Sequence, residues 1–247
     1  MRKKSTVDRL KIFTSIFFLF CITFVVIFSQ TSFKKKPLEK SELIYVYDPL
    51  CGWCYGFSSV MMKVKKTFGD SLKITVISGG MVTGDREGPI GNIAPFIKQA
   101  YKDVEEASGV KFGDAFIHGT LEKGTTHFSS TPPSVALTVF KSFNEENSLD
   151  FAHAIQKMIY YEGKDPNLVS SYTALLQPFG IDENKFKECF NDSSYKAMTL
   201  EDYKLSNKLG VTGFPALFIK HEGKIHVITK GFDSYENVEK KIFHYLK

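Results

Sequence analysis

Cys51 and Cys54, two residues apart in the run DPLCGWCYGF, are the residues of this 247-residue chain best suited to chemistry. A pair at that spacing can help hold a metal, staple the fold, or exchange electrons as dithiol and disulfide. A structural zinc site usually needs four ligands. The chain has no second cysteine pair and its six histidines are scattered, so no metal site is expected. An inert structural disulfide remains a competing reading, but the position argues for reactivity. Cys51 falls where a strand-like run gives way to a helix-like one, and a helix start offers unpaired N–H groups and a positive dipole end that favour a thiolate. The first sulfur would attack a substrate disulfide and the second, nearly a turn further on, would resolve the mixed disulfide. Gly52 and Trp53 between them affect access and electronics but bring no charge. The motif alone therefore does not set the reduction potential. Asp48 and Tyr55 flank it as candidates for tuning or proton shuttling. Their plainer roles are a strand-end cap and a partly buried aromatic.

A second signal lies far along the chain, in GVTGFPALFI. Pro215 opens a strand after Gly213 and Phe214, ordinary by itself. Combined with the cysteine pair it marks a place for a cis proline facing the sulfurs, with Phe214 free to pair with an extended substrate segment. Of the other two thiols, Cys21 falls within an apolar run, and Cys189 in FKECFND has the spacing of a buried helical position beside Phe186 and Phe190.

The elements that must position these residues follow from periodicity. LIYVYD (43–48) reads as a strand halted by Pro49. From Cys51, Phe57, Val60, Met61, Val64 and Phe68 recur at helical spacing, and LKITVISGG (72–80) is a second strand. Helical patterns follow over 92–107, 132–144, 149–161, 168–179, 183–190 and 195–209. Thr131 is expected to cap the second of these and Asp182 the fifth. PALFIK, the turn HEG and KIHVITKG form a hairpin, and a helix capped by Ser234 runs to Leu246. The order is βαβ, helical block, ββα.

Composition sets the outer limits. The net charge is +5, but Lys and Arg crowd the first forty residues, leaving the body near neutral and without the basic face that nucleic-acid binding needs. Residues 1–11 form a basic tail. Residues 12–29, with IFTSIFFLFCITFVVIF, are long for the roughly 7–15-residue core of a signal peptide and near the lower limit of a bilayer span. A membrane anchor is expected there, with a cleaved signal sequence as the alternative. Residues 30–42 read as a linker, 43–85 with 210–247 as one domain, and 86–209 as a helical insertion. The flanking charges lean toward a cytoplasmic N-terminus, which places the body outside the cytoplasm, where disulfides persist.

The paired cysteines with aromatic flanks, the TGFP element and the element order together resemble the thioredoxin superfamily in its DsbA-like branch. The run DPLCGWCYGF is similar to a bacterial group described as predicted protein-disulfide isomerases. The resemblance covers roughly 43–247. It implies an α/β thioredoxin fold with an inserted all-helical domain, Cys51 as nucleophile, Cys54 as resolving thiol and Pro215 as the cis proline. It implies a thiol–disulfide oxidoreductase acting on protein thiols and recycled by a redox partner, with no cofactor beyond the redox-active disulfide. DsbA carries Pro-His between its cysteines where this chain has Gly52 and Trp53, which leaves oxidase, reductase and isomerase directions open. Two other readings compete. A glutathione-using enzyme of the kappa class shares this architecture but typically has serine in place of Cys51. A non-catalytic peptide-binding chaperone module would not need the thiols.

Overall fold

The computed structural model describes residues 41–246. The expected basic tail, the anchor with Cys21, and all but the end of the linker lie outside the described residues. Glu42, expected in the linker, is already paired in the first strand, opposite Lys73 and Lys220.

The element order is β1 (Glu42–Tyr47), α1 (Gly52–Phe68), β2 (Lys73–Ser78), β3 (Gly88–Pro89), α2 (Ala94–Ser108), β4 (His127–Phe128), α3 (Thr131–Asn144), α4 (Ser148–Tyr160), α5 (Ser170–Leu176), α6 (Glu183–Asn191), α7 (Ser193–Lys208), β5 (Ala216–His221), β6 (Lys224–Lys230) and α8 (Tyr235–Leu246). A π-helical turn occupies Ala115–Leu121. The main sheet has the order β2-β1-β5-β6. β1 and β2 are parallel, as a helical crossover requires. β5 runs antiparallel to β1 and to β6. This is the thioredoxin-like βαβ…ββα arrangement with helices inserted between its halves. Among the described residues no helix is long and apolar enough to cross a membrane.

β1 is central and buried on both faces, and its period of two divides the core. Leu43, Tyr45 and Tyr47 join the large cluster under α1 and the helical block, while Ile44 and Val46 join a smaller one with Ile77, Val211 and Phe218. α1 buries Phe57, Val60, Met61, Val64 and Phe68 at helical spacing. Each such side chain removed from water contributes about 1.5–3 kcal/mol. The helical block packs through aromatic rings: Phe140 and Phe151 stack with centroids 4.1 Å apart and Phe179 meets Phe140 edge-on at 4.8 Å. Lys141 ties that block to the sheet, donating to the Val76 carbonyl at 3.0 Å and to Asp202 at 3.4 Å.

Two caps follow expectation and one does not. Asp182 accepts from the Lys185 N–H at 2.8 Å, and Ser234 accepts from the Asn237 N–H at 3.3 Å. Thr131 does not cap α3 but begins it, its N–H bonded to the Ser129 hydroxyl at 3.2 Å. The residue before it, Ser130, has its hydroxyl committed elsewhere.

Candidate active site

The strand register builds the site. Val46 lies opposite Ala216, so the end of β1 lies beside the start of β5. The loop leaving β1 and the loop entering β5 must therefore meet. The first carries Cys51 and the second carries Phe214 and Pro215, joined by a cis peptide bond. The Cys51 thiol donates to the Phe214 carbonyl oxygen at 3.6 Å.

Cys51 is the N-cap of α1, with extended backbone, and its sulfur accepts from the Cys54 N–H at 3.4 Å. An anion there meets the unpaired N–H groups of the first turn. The two thiols are free and differ in exposure, Cys51 at 6% and Cys54 at 0%. Burial, and then the neighbouring Cys51, push the Cys54 thiol well above its ordinary pKa. Above Cys51 opens a recess of about 280 Å³ with almost wholly apolar walls, among them Trp53, Ile97, Tyr101, Phe112 and Phe214. Cys51 lines it and Cys54 does not. Ile93 and Phe96 stand at its wall and are themselves exposed, Phe96 by 74%.

Asp48 is fully buried directly before the cysteine turn. Its Oδ1 accepts from the Leu50 N–H at 2.9 Å and the Ser130 hydroxyl at 2.8 Å, and its Oδ2 accepts from the Met81 N–H at 2.7 Å. Its carbonyl accepts from the Cys51 N–H at 3.1 Å. Burial raises the Asp48 carboxyl above the ordinary range, with the hydrogen bonds opposing. Its negative charge in turn adds to the upward push on Cys54. The expected strand-end cap is thus a buried hub that joins the cysteine turn, the loop after β2 and the start of α3.

Tyr55 is packed edge-on to Phe112 with centroids 5.3 Å apart and stacked on Tyr160 at 5.4 Å. Its hydroxyl donates to the Lys111 carbonyl at 3.0 Å, and burial pushes its pKa up to about 12. That bond occupies the proton a shuttle would have to move. Gly52 opens α1 near Phe112, Trp53 lies 5.8 Å from Phe232, and Gly213 is exposed at the tip of the proline loop. Cys189 is half-buried on α6.

Three further neighbours of the site carry no signal in the sequence. Ser130 is one. Gln156, buried on α4, is another: one orientation of its amide makes a single bond to the Asp48 carbonyl at 3.4 Å. The other donates to the Cys54 carbonyl at 3.3 Å and accepts from the Tyr55 N–H at 3.2 Å, satisfying both ends as a buried amide should. Tyr45 is the third, its hydroxyl buried without a hydrogen bond and its pKa raised by burial and then by Cys54.

Residues 42–243 match the family described as DSBA-like thioredoxin domain. The chain belongs to this family. Membership makes it a thiol–disulfide oxidoreductase in the general sense. Among solved structures, a candidate protein disulfide isomerase from Nitrosomonas europaea is similar, at 24% identity over 84% of this chain and 98% of that one, with a TM-score of 0.73. The cytosolic disulfide reductase DsbM from Pseudomonas aeruginosa, solved with GSH, is similar at 25% identity over 82% of this chain and 96% of that one, with a TM-score of 0.66. A 2-hydroxychromene-2-carboxylate isomerase shares the fold at 12% identity over 82% of this chain and 95% of that one, with a TM-score of 0.56. No curated protein matches the chain.

Proposed function

We propose that the chain exchanges disulfides with protein thiols through Cys51 as nucleophile and Cys54 as resolving thiol. The observation that carries this reading is the division of labour between the sulfurs: Cys51 lines the apolar recess beside the Phe214 carbonyl, and Cys54 is sealed beneath it. In the reducing direction the Cys51 thiolate attacks one sulfur of a substrate disulfide. That S–S bond breaks, one substrate sulfur leaves as a thiolate, and the other is joined to Cys51. Cys54 then loses its proton and attacks the Cys51 sulfur. The mixed disulfide breaks, Cys51–Cys54 forms, and the second substrate thiolate departs. Two electrons have passed to the substrate, and a dithiol or two monothiol molecules must restore the pair; the oxidising direction is the reverse and needs a disulfide partner. We assign Asp48 a tuning role: its carboxyl is buried directly before the cysteine turn, and its negative charge raises the Cys54 pKa.

Main-chain pairing at Phe214 and apolar contact in the recess would hold an extended, apolar protein segment. Glutathione, present with DsbM, is the simplest candidate for a recycling thiol. The kappa-class reading has less support, since both cysteines are in place. We place the body outside the cytoplasm, tethered by residues 12–29; the support is the sequence of that segment.

The deciding experiment is the reduction potential of Cys51–Cys54, followed through the fluorescence of Trp53, the only tryptophan. A value near about −120 mV marks a disulfide donor and one near about −270 mV a reductase. Thiols that show no redox-linked change would overturn the proposal in favour of a binding module.

A further inference from the structure

Gly79 directly follows β2, and its N–H is bonded to the Tyr47 carbonyl at 2.7 Å, so the sheet fixes its position. A Cβ placed there would lie 2.0 Å from Phe214 Cε1 and 2.2 Å from Cζ. No side chain fits. The Phe214 ring fills the space where one would stand, packed against both apolar clusters. The carbonyl of the same residue accepts from the Cys51 thiol at 3.6 Å. The next residue, Gly80, has φ of +70°, and its Cβ would fall 2.8 Å from the Tyr203 ring. Phe214 thus rests on a strand end that is bare because residue 79 is glycine.

We propose that Gly79 is a positioning residue for disulfide exchange: its missing side chain lets the Phe214 ring lie against β2 and so sets the main chain that presents a substrate segment to Cys51. This rests on the thiol–disulfide reading above. Gly79 has no positive φ, so alanine meets the ring without a backbone penalty of its own.

The test compares wild type, Gly79→Ala, Phe214→Ala and the double variant, each reduced and each with its melting temperature measured. Rates are taken with a disulfide-bonded two-cysteine peptide and with the small disulfide 5,5′-dithiobis(2-nitrobenzoate). Gly79→Ala is expected to slow the peptide reaction by about ten- to a hundredfold, the loss typical of a misplaced substrate-holding group. The small disulfide, which needs no main-chain pairing, should react at nearly the wild-type rate. In the Phe214→Ala background the added methyl should cost nothing further. Should Gly79→Ala fold poorly, Phe214→Leu with and without Gly79→Ala carries the same comparison, with a smaller peptide-specific loss expected. Equal losses with Phe214 intact and in the Phe214→Ala background, equal losses with both disulfides, or no loss would overturn the inference. A wild type inert toward both disulfides would instead overturn the oxidoreductase reading and this inference with it.

Discussion

The Ser130 hydroxyl donates to Asp48 Oδ1 at 2.8 Å, across 82 positions of sequence. The Ser130 Oγ itself accepts from the Val82 N–H at 2.9 Å, and the Ser130 N–H donates to the Val82 carbonyl at 2.8 Å. One small hydroxyl thus ties the start of the helical block to the turn that carries the cysteines. Ser130→Ala leaves the buried Val82 N–H without its partner and Asp48 Oδ1 with the Leu50 N–H alone. A loss of about 1–3 kcal/mol is expected, read from denaturant unfolding of the two proteins. A loss within error would show that the hub does not depend on this bond.

Asp48 gives stability a pH dependence of definite sign. Its folded pKa is raised, with burial the largest cause. A raised carboxyl contributes fully when protonated in both states, below about pH 4, and that contribution is lost as pH rises through the folded value. Asp48→Asn removes the titration while keeping the shape. The melting-temperature advantage of wild type over Asp48→Asn should therefore shrink as pH rises above about 4. An advantage that grows with pH would mean that the three hydrogen bonds outweigh burial.

The β5–β6 turn holds a residue that works against it. Glu222 has φ of 50° and Gly223 φ of 77°, the pattern of a two-residue turn that favours Asn-Gly. Glutamate in the left-handed region is disfavoured. Glu222→Asn should stabilise the chain by about 0.5–1 kcal/mol without touching exchange. Thermal unfolding and the peptide-disulfide rate together check both halves of the statement.

The sheet and the helix carrying the cysteines are legible in the sequence because their patterns are strong: a β-branched and aromatic run along Ile44–Tyr47, and apolar residues at helical spacing from Phe57 to Phe68. The Pro215 loop is legible through its place in the order of elements. Other features are not, because they depend on contacts distant in sequence. Ser130 and Gln156 are ordinary helix-start and mid-helix residues until α3 and α4 fold against Asp48 and Cys54. The π-helical turn at Ala115–Leu121 has no period to betray it, and it sits where Gly113 allows the Tyr161 carbonyl to approach to 1.9 Å of where a Cβ would be. Thr131 has the residue type of a cap, yet the helix starts one residue earlier than that role requires, next to a serine whose hydroxyl faces the hub.

The sharpest contrast the site offers is between its two sulfurs. Burial is the largest cause of the raised Cys54 pKa, ahead of the contributions from Cys51. Cys51→Ser removes the Cys51 contributions and leaves burial and the Asp48 charge. In that variant Cys54 should resist iodoacetamide at neutral pH, and alkylation should climb only above the ordinary value of 9.0. In Cys54→Ser, Cys51 still lines the recess but has no resolving partner. Mixed disulfides with protein substrates should then accumulate, visible as reducible adducts on non-reducing gels, while multiple-turnover exchange stops. If Cys54 alkylates at pH 7 as fast as Cys51 does in the reciprocal variant, the sealed thiol is not sealed. The assignment of nucleophile and resolving residue would then have to be reversed or shared.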